Sequence, residues 1–149
     1  MKPLANPYRT SQCFFCGEQN PIGLKLAFHE TETEPSEVIL RWEASSLFTG
    51  FGTILHGGIQ SGLFDEIMGW TTFHYTQQMG VTTELLIQFL KPVYVEQEIE
   101  VKCRVESREG DKIHLAAELK NQRGQICTTA TGTYLLIDRD KFEKLVEPA

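Results

Sequence analysis

Apolar and polar residues alternate along most of the chain, and the places where the alternation stops mark its organisation. Leu24, Leu26 and Phe28 alternate with Lys25, Ala27 and His29, the pattern of a half-buried strand. A polar, turn-rich stretch over 30–36 follows. Val38, Leu40 and Trp42 then face one way and Glu37, Ile39, Arg41 and Glu43 the other, so the two segments predict an antiparallel hairpin. Beyond a Ser/Thr/Gly-rich loop at 45–53 the period changes. Residues 57–75 contain no proline and are long enough for about five helical turns. At 100° per residue, Ile59, Leu63, Ile67, Trp70 and Phe73 fall on one broad arc, the stripe of a core-facing helix. Gly58, Gly62 and Gly69 share an adjacent strip. Glycine within a helix costs about 1 kcal/mol relative to alanine. Three on one strip therefore predict a close approach by a sheet, a second subunit or a ligand.

The period of two then returns. Residues 82–93 read as a strand ending at Lys91-Pro92, and Ile99, Val101, Cys103 and Val105 alternate with charged neighbours on the next. A turn at Glu109-Gly110-Asp111 leads to Ile113, Leu115, Ala117 and Leu119. A second turn at 121–124 leads to a last strand over 125–137, with Ala130, Gly132, Tyr134 and Leu136 inward. Tight turns between consecutive strands predict a four-stranded meander. Residues 138–146 read as a short helix or a charged tail. Residues 1–22, with Pro3, Pro7, Gly17 and Pro21, read as an irregular lead to a single domain of 149 residues, with Phe14 and Phe15 packed onto the body. A helix that is apolar over most of its girth must be wrapped, and the strands are the available wrapper. The expectation is an α+β fold, a curved antiparallel β-sheet around one long central α-helix.

Composition narrows the function. A net charge of −6 argues against nucleic-acid binding, which needs a clustered positive surface. No run of 18 apolar residues offers a membrane span, and the first residues lack the apolar core of a secretory signal. The cytosol is the expected compartment. Of the four cysteines, Cys13 and Cys16 form a lone CxxC followed by Gly17. A tetrahedral zinc site wants four ligands with paired spacing, and the sequence shows no second pair. The cysteines are read as structural or incidental, with no metal and no cofactor expected.

Candidate chemistry gathers where the helix begins. His56-Gly57-Gly58 opens it and Asp65 follows nine residues after His56. A helix N-terminus presents unpaired N–H groups and partial positive charge, suited to a reacting carbonyl and the oxyanion formed on attack. His56 can hold this loop or bond the carbonyl. Asp65 lies mid-helix with Ser61 and Gly62 one turn before it and Gly69 one turn after, which leaves open space around it. Glu66 is the neighbouring carboxylate and the rival for the same role. Gly57 and Asp65 are eight residues apart, roughly 12 Å along the axis, whereas a reacting carbonyl needs donor and base each at about 3 Å. One subunit cannot supply both; two antiparallel copies of the helix can. The expectation is at least a homodimer with composite sites.

His-Gly-Gly followed at the ninth position by an acid resembles the PaaI-type hotdog acyl-CoA thioesterases, related to the 4-hydroxybenzoyl-CoA thioesterases. The resemblance covers roughly residues 23–137 in element order. Cys13-Phe14-Phe15-Cys16-Gly17 and Asn20-Pro21 with Gly23-Leu24 are similar to the lead of a bacterial branch of that family. It implies a hotdog fold, acyl-CoA as substrate, Gly57 N–H as oxyanion donor from the partner subunit, and Asp65 as nucleophile or general base. It also implies a hydroxyl residue ten before a proline, here Thr82 before Pro92, orienting the water or Asp65. Gly58, Ser61 and Gly62 are expected at the substrate, and two dimers can pair as a tetramer. Two departures stand out: Gly50 occupies a position where several relatives carry Asn, and Glu66 lies at the edge of the buried arc. Two other readings compete. Hotdog hydratases or dehydratases pair an Asp with a His about five residues later, where this chain has Trp70. An acyl-CoA sensor would bind without turnover.

Overall fold

The helix expected over 57–75 is α1, Gly57–Thr76, in the computed structural model, which describes residues 1–7 and 11–146. The His56 side chain caps its start. Gln77 ends it in the left-handed region (φ 59°), its N–H returning to the Phe73 carbonyl. The buried face is rotated from the expected arc. It comprises Gln60, Leu63, Phe64, Ile67, Met68, Thr71 and Thr72, a stripe at i, i+3, i+4 and i+7, while Ile59, Trp70 and Phe73 lie at its margin. Three members of the stripe are polar, which is why an arc drawn through apolar residues alone misses it. Each polar side chain is satisfied. Thr71 and Thr72 donate to the carbonyls of Ile67 and Met68, and the Thr128 hydroxyl donates to Gln60 Oε1 at 2.6 Å.

Seven strands make one sheet: β1 (Lys2–Pro3), β2 (His29–Glu30), β3 (Val38–Glu43), β4 (Gly80–Phe89), β5 (Glu98–Glu109), β6 (Lys112–Lys120) and β7 (Ile126–Leu136). Their order is β1-β2-β3-β5-β6-β7-β4, every neighbouring pair antiparallel. The predicted four-stranded meander is therefore three strands, β5 to β7. β4 instead pairs with β7 and forms the far edge. The connection 90–97 accounts for this: the N–H groups of Leu90 and Lys91 bond to Cys127, after which Leu55 N–H bonds Val93 and Val95 N–H bonds Thr53. The chain is thus drawn across to the loop before α1 rather than into a hairpin.

The strand expected over 24–29 is also shorter, reduced to β2. Lys25 has φ 51°, outside the strand region, and the N–H groups of Leu24 and Leu26 bond to the carbonyls of Phe14 and Phe15. Leu26 and Phe28 are still buried, as the alternation implies. The lead is accordingly less irregular than expected, since it also supplies β1. Its Phe15 ring rests directly on Gly62, where any added Cβ would collide with it. The short C-terminal helix forms as α2, Arg139–Val146, with Asp138 Oδ1 accepting from Lys141 N–H.

α1 packs against β3 through β7, and irregularities in the β4/β7, β5/β6 and β6/β7 ladders bend the sheet around it. The inward positions of β5, β6 and β7 form the core with α1. Gly132 on β7 lets Met68 approach; a Cβ there would lie 2.5 Å from its sulfur. No helix of the described residues is long and apolar enough to cross a membrane.

Replacing a helical glycine by alanine ordinarily stabilises by about 1 kcal/mol. Gly62→Ala should do the reverse, losing about 1–3 kcal/mol through overpacking against Phe15. Gly69→Ala, whose Cβ would meet only Tyr134 at 4.0 Å, should be neutral or stabilising. Urea unfolding of both variants checks this; equal stability would show that Phe15 does not seat there.

Candidate active site

The helix start is held from several sides. Ser46–Phe48 forms a short 3-10 turn, His56 N–H bonds back to Phe48, and Gly50 N–H bonds Ile54. This closes a loop in which Gly50 faces the His56 ring, its Cβ position 3.5 Å from Cδ2. His56 has extended geometry (φ −55°, ψ 132°), and its Nδ1 accepts from Gly58 N–H at 2.8 Å. The imidazole thus acts as an N-cap. Gly57 N–H, at the first helical position, is one of the amides that no intrahelical carbonyl can reach. The Phe89 ring of β4 covers Gly57, about 3.5 Å from its Cβ position. The Ser61 hydroxyl donates to the Gly57 carbonyl at 2.8 Å, so it is engaged with its own helix.

Two turns along, Asp65 is exposed. Its Oδ1 accepts from Thr82 Oγ1 at 2.5 Å and from the Tyr134 hydroxyl at 2.6 Å. Tyr134 lies 2.6 Å from the Asp65 carbonyl as well. Thr82 and Tyr134 are register partners on β4 and β7, so one rung of the sheet delivers both hydroxyls to one carboxylate oxygen. The ladder is irregular just past Thr82, between Thr82 and Glu84, the kind of irregularity that re-aims a side chain. Among the described residues Asp65 Oδ2 has no hydrogen-bond partner. Burial, then the bond to Asp65 and its charge, push the Tyr134 phenol far above its ordinary value, so the hydroxyl remains a donor.

Glu66 is turned elsewhere. Its carboxylate lies 3.7 Å through each oxygen from Cys13 Sγ and accepts from Trp70 Nε1 at 3.3 Å. Burial and, next, Glu66 itself push the Cys16 thiol up. Of the residues expected at the site, the fold therefore joins Asp65 with Thr82 and His56 with Gly57 and Gly58. It leaves Glu66 on the lead side and gives the space beside Gly62 to Phe15. Tyr134 is the residue that sequence reasoning missed as a site group. It reads as one more inward aromatic of a last strand, and no spacing signals that its hydroxyl meets a carboxylate 69 residues earlier.

The thioesterase superfamily model matches residues 52–128, a stretch holding His56, Gly57, Asp65 and Thr82. The chain belongs to the thioesterase superfamily. Its fold is the hotdog arrangement, as the resemblance implied. Among solved structures it is similar to a thioesterase superfamily protein (TM-score 0.72, 18% identity), covering 85% of this chain and 60% of that one. It is also similar to a Streptococcus mutans protein bound to acetyl-CoA (0.66, 23% identity; 74% of this chain, 88% of that one). A third is the PaaI protein of the E. coli phenylacetic acid degradation operon (0.65, 16% identity; 68% and 73%). No curated protein matches the sequence significantly.

The phenol shift has a sign in stability. The tyrosine's ordinary value is 10.0 and the folded one is higher. Above pH 10 the unfolded chain releases this proton while the folded thioesterase-family chain holds it. Stability should fall as pH rises there, by at most about 1.36 kcal/mol per pH unit for one group. Urea midpoints at about pH 9 and about pH 11 should converge in Tyr134→Phe relative to wild type. An unchanged pH slope in that variant would contradict the assignment.

Proposed function

We propose that the protein is an acyl-CoA thioesterase, hydrolysing a thioester to a free acid and CoA, with Asp65 as the reactive carboxylate. The observation that carries this reading is the pair of hydroxyls on Asp65 Oδ1, which orients the group and leaves Oδ2 for substrate or water. The acetyl-CoA bound to the Streptococcus mutans relative supports a CoA thioester as ligand. Oδ2 either takes a proton from the attacking water or itself adds to the acyl carbonyl. Negative charge then develops on the carbonyl oxygen, and the Gly57 N–H is the donor placed for it, with His56 and Gly58 holding the loop and Ser61 and Gly62 on the following turn. Collapse expels the CoA thiolate. A single oxyanion donor is typically worth about 3–4 kcal/mol.

Gly57 and Asp65 stand roughly 12 Å apart along α1, so we place them in one site only across a dimer. Features of the edge support this. β4 is a free edge carrying the exposed apolar residues Leu86 and Phe89, with Leu90 just beyond, a surface that proteins ordinarily cover. Phe89 adjoins Gly57 and Thr82 adjoins Asp65. Two β4 strands paired about a two-fold axis near Leu85 and Leu86 would set Thr82 beside Phe89 of the partner subunit. Asp65 would then face Gly57 of the partner subunit. A dimer of dimers is compatible with the same unit.

Asp65→Asn should lower thiol release from acyl-CoA by about 10²–10⁴-fold, while Glu66→Gln stays within about tenfold of wild type. Assays over short, aromatic and long acyl-CoAs measure this. The opposite ranking would make Glu66 the catalyst, and binding without turnover on every substrate would make the protein a sensor.

Complementation tests the shared site. Gly57→Pro removes the N–H at a helix position that tolerates proline, and the extended His56 suits a following proline. Asp65→Asn and Gly57→Pro subunits should each be inactive alone. Co-refolded in equal amounts, they should regain about a quarter of wild-type activity, because half the dimers are mixed and each holds one intact site. No recovery despite mixed dimers, or an active monomer by sedimentation, would place the site within one chain.

A further inference from the structure

The fold brings together three groups that the hydrolysis does not use. Cys13 and Cys16 sit in the lead on a tight turn closed by Gly17 N–H to the Cys13 carbonyl at 2.9 Å. Glu66, fifty residues after Cys16, projects from α1 toward them. The two sulfurs and a carboxylate oxygen all lie within 4.8 Å of one another. The three residues are half-buried and share the wall of a cavity of about 530 Å³ with Asn6, Ser11 and Trp70. Asp65 is not part of that wall.

We propose that Cys13, Cys16 and Glu66 bind a zinc-class divalent cation that fastens the lead to α1. Sulfur and oxygen ligands of tetrahedral zinc, at about 2.3 and 2.0 Å from the metal, stand about 3.5 Å apart. Cys13 Sγ lies 3.7 Å from each oxygen of Glu66, so the ligands need little movement to close on an ion. Their chemistry agrees. Two thiolates and a carboxylate carry three negative charges, and among the described residues no lysine or arginine forms an ion pair with Glu66. A divalent cation would neutralise two of them, while hard oxygen-seeking ions such as magnesium are disfavoured by the thiolates. Outer-shell support is also in place. Trp70 Nε1 donates to Glu66 Oε1 at 3.3 Å, and Asn6 Nδ2 reaches the Cys16 carbonyl at 3.3 Å and its sulfur at 4.0 Å. The fourth coordination position belongs to water or a small ligand in the cavity. Binding replaces two thiol protons by the metal and involves no redox step.

The CxxC alone falls short of such a site, and the third ligand comes from the rotation of α1. The test uses the full chain without a histidine tag, reduced, with Zn²⁺ titrated against a chromophoric chelator and Co²⁺ as a spectroscopic probe. About one equivalent of Zn²⁺ should bind, and Co²⁺ should show thiolate charge-transfer and tetrahedral d–d bands. Cys13→Ser and Cys16→Ser should each weaken Zn²⁺ by about a hundredfold or more, and Glu66→Gln by at least about tenfold. The wild-type Co²⁺ spectrum keeps the proposal testable even where a variant fails to fold. The proposal is overturned by wild-type affinity no better than that of the double Cys→Ser variant, or by a Co²⁺ complex lacking thiolate bands. It is equally overturned by Glu66→Gln binding as tightly as wild type, or by a Cys13–Cys16 disulfide, read by intact mass, in protein kept under reductant.

Discussion

The site depends on the rotation of α1 about its own axis, and a buried polar contact pins it. Gln60 is almost fully buried on the helix face toward the sheet, accepting from Thr128 on β7 and donating from Nε2 to the Leu55 carbonyl. A buried amide that loses such partners costs about 1–3 kcal/mol. The helix therefore cannot turn without opening this bond and unseating Leu63, Phe64, Ile67 and Met68. Adjacent helical residues project about 100° apart. With the stripe set, Asp65 must face the β4–β7 edge and Glu66 must face the lead. Two neighbouring carboxylates are thereby given different surroundings by one rotational choice.

At the edge, the sheet completes what the helix begins. Thr82 and Tyr134 reach Asp65 from paired strands rather than from loops, so their separation is set by the ladder itself. Groups mounted on regular elements hold position better than groups on mobile segments. The Tyr134 ring is buried while its hydroxyl meets the carboxylate, the division of labour that suits tyrosine at a dry–polar boundary. At the other end, His56 caps Gly58 and so keeps the first turn wound around Gly57, whose N–H is the proposed oxyanion donor. Both halves of the proposed chemistry are held by secondary structure, and both depend on the same packed stripe.

Much of this was readable from residues in order, because it is local. The helix over 57–75, His56 at its start, Asp65 on it and the inward sets of β5, β6 and β7 follow from period and spacing. Thr82 is signalled only by the family resemblance. What could not be read involved partners distant in sequence. The stripe includes Gln60, whose partner Thr128 lies 68 residues on, while Thr71 and Thr72 are polar residues that can be buried because their hydroxyls bond one turn back. The period of β4 says nothing about which neighbour it pairs with, and the 90–97 connection settles that by bonding to Cys127 and the loop before α1. The alternation over 24–29 yields only a two-residue strand because Lys25 turns left-handed and its neighbours bond to the lead. Tyr134 and the Glu66–Cys13 contact span 69 and 53 residues, beyond any local pattern.

One physical problem remains for a single copy of this chain, and its solution bears on function. β4 is ten residues long, lies at the sheet edge and carries exposed apolar side chains, the description of an aggregation-prone surface. The opposite edge is blunted, since β1 and β2 are two residues each. Short strands are the usual protection for an edge, yet the edge beside Asp65 lacks it. Nothing about folding the monomer requires that asymmetry. It makes sense if β4 is normally covered, and the proposed two-fold pairing covers it while bringing an oxyanion donor to a carboxylate that would otherwise have none within reach. On that argument, association and the proposed catalysis would not be separate properties of this thioesterase-family chain: the contact that would shield the edge would also complete the proposed site.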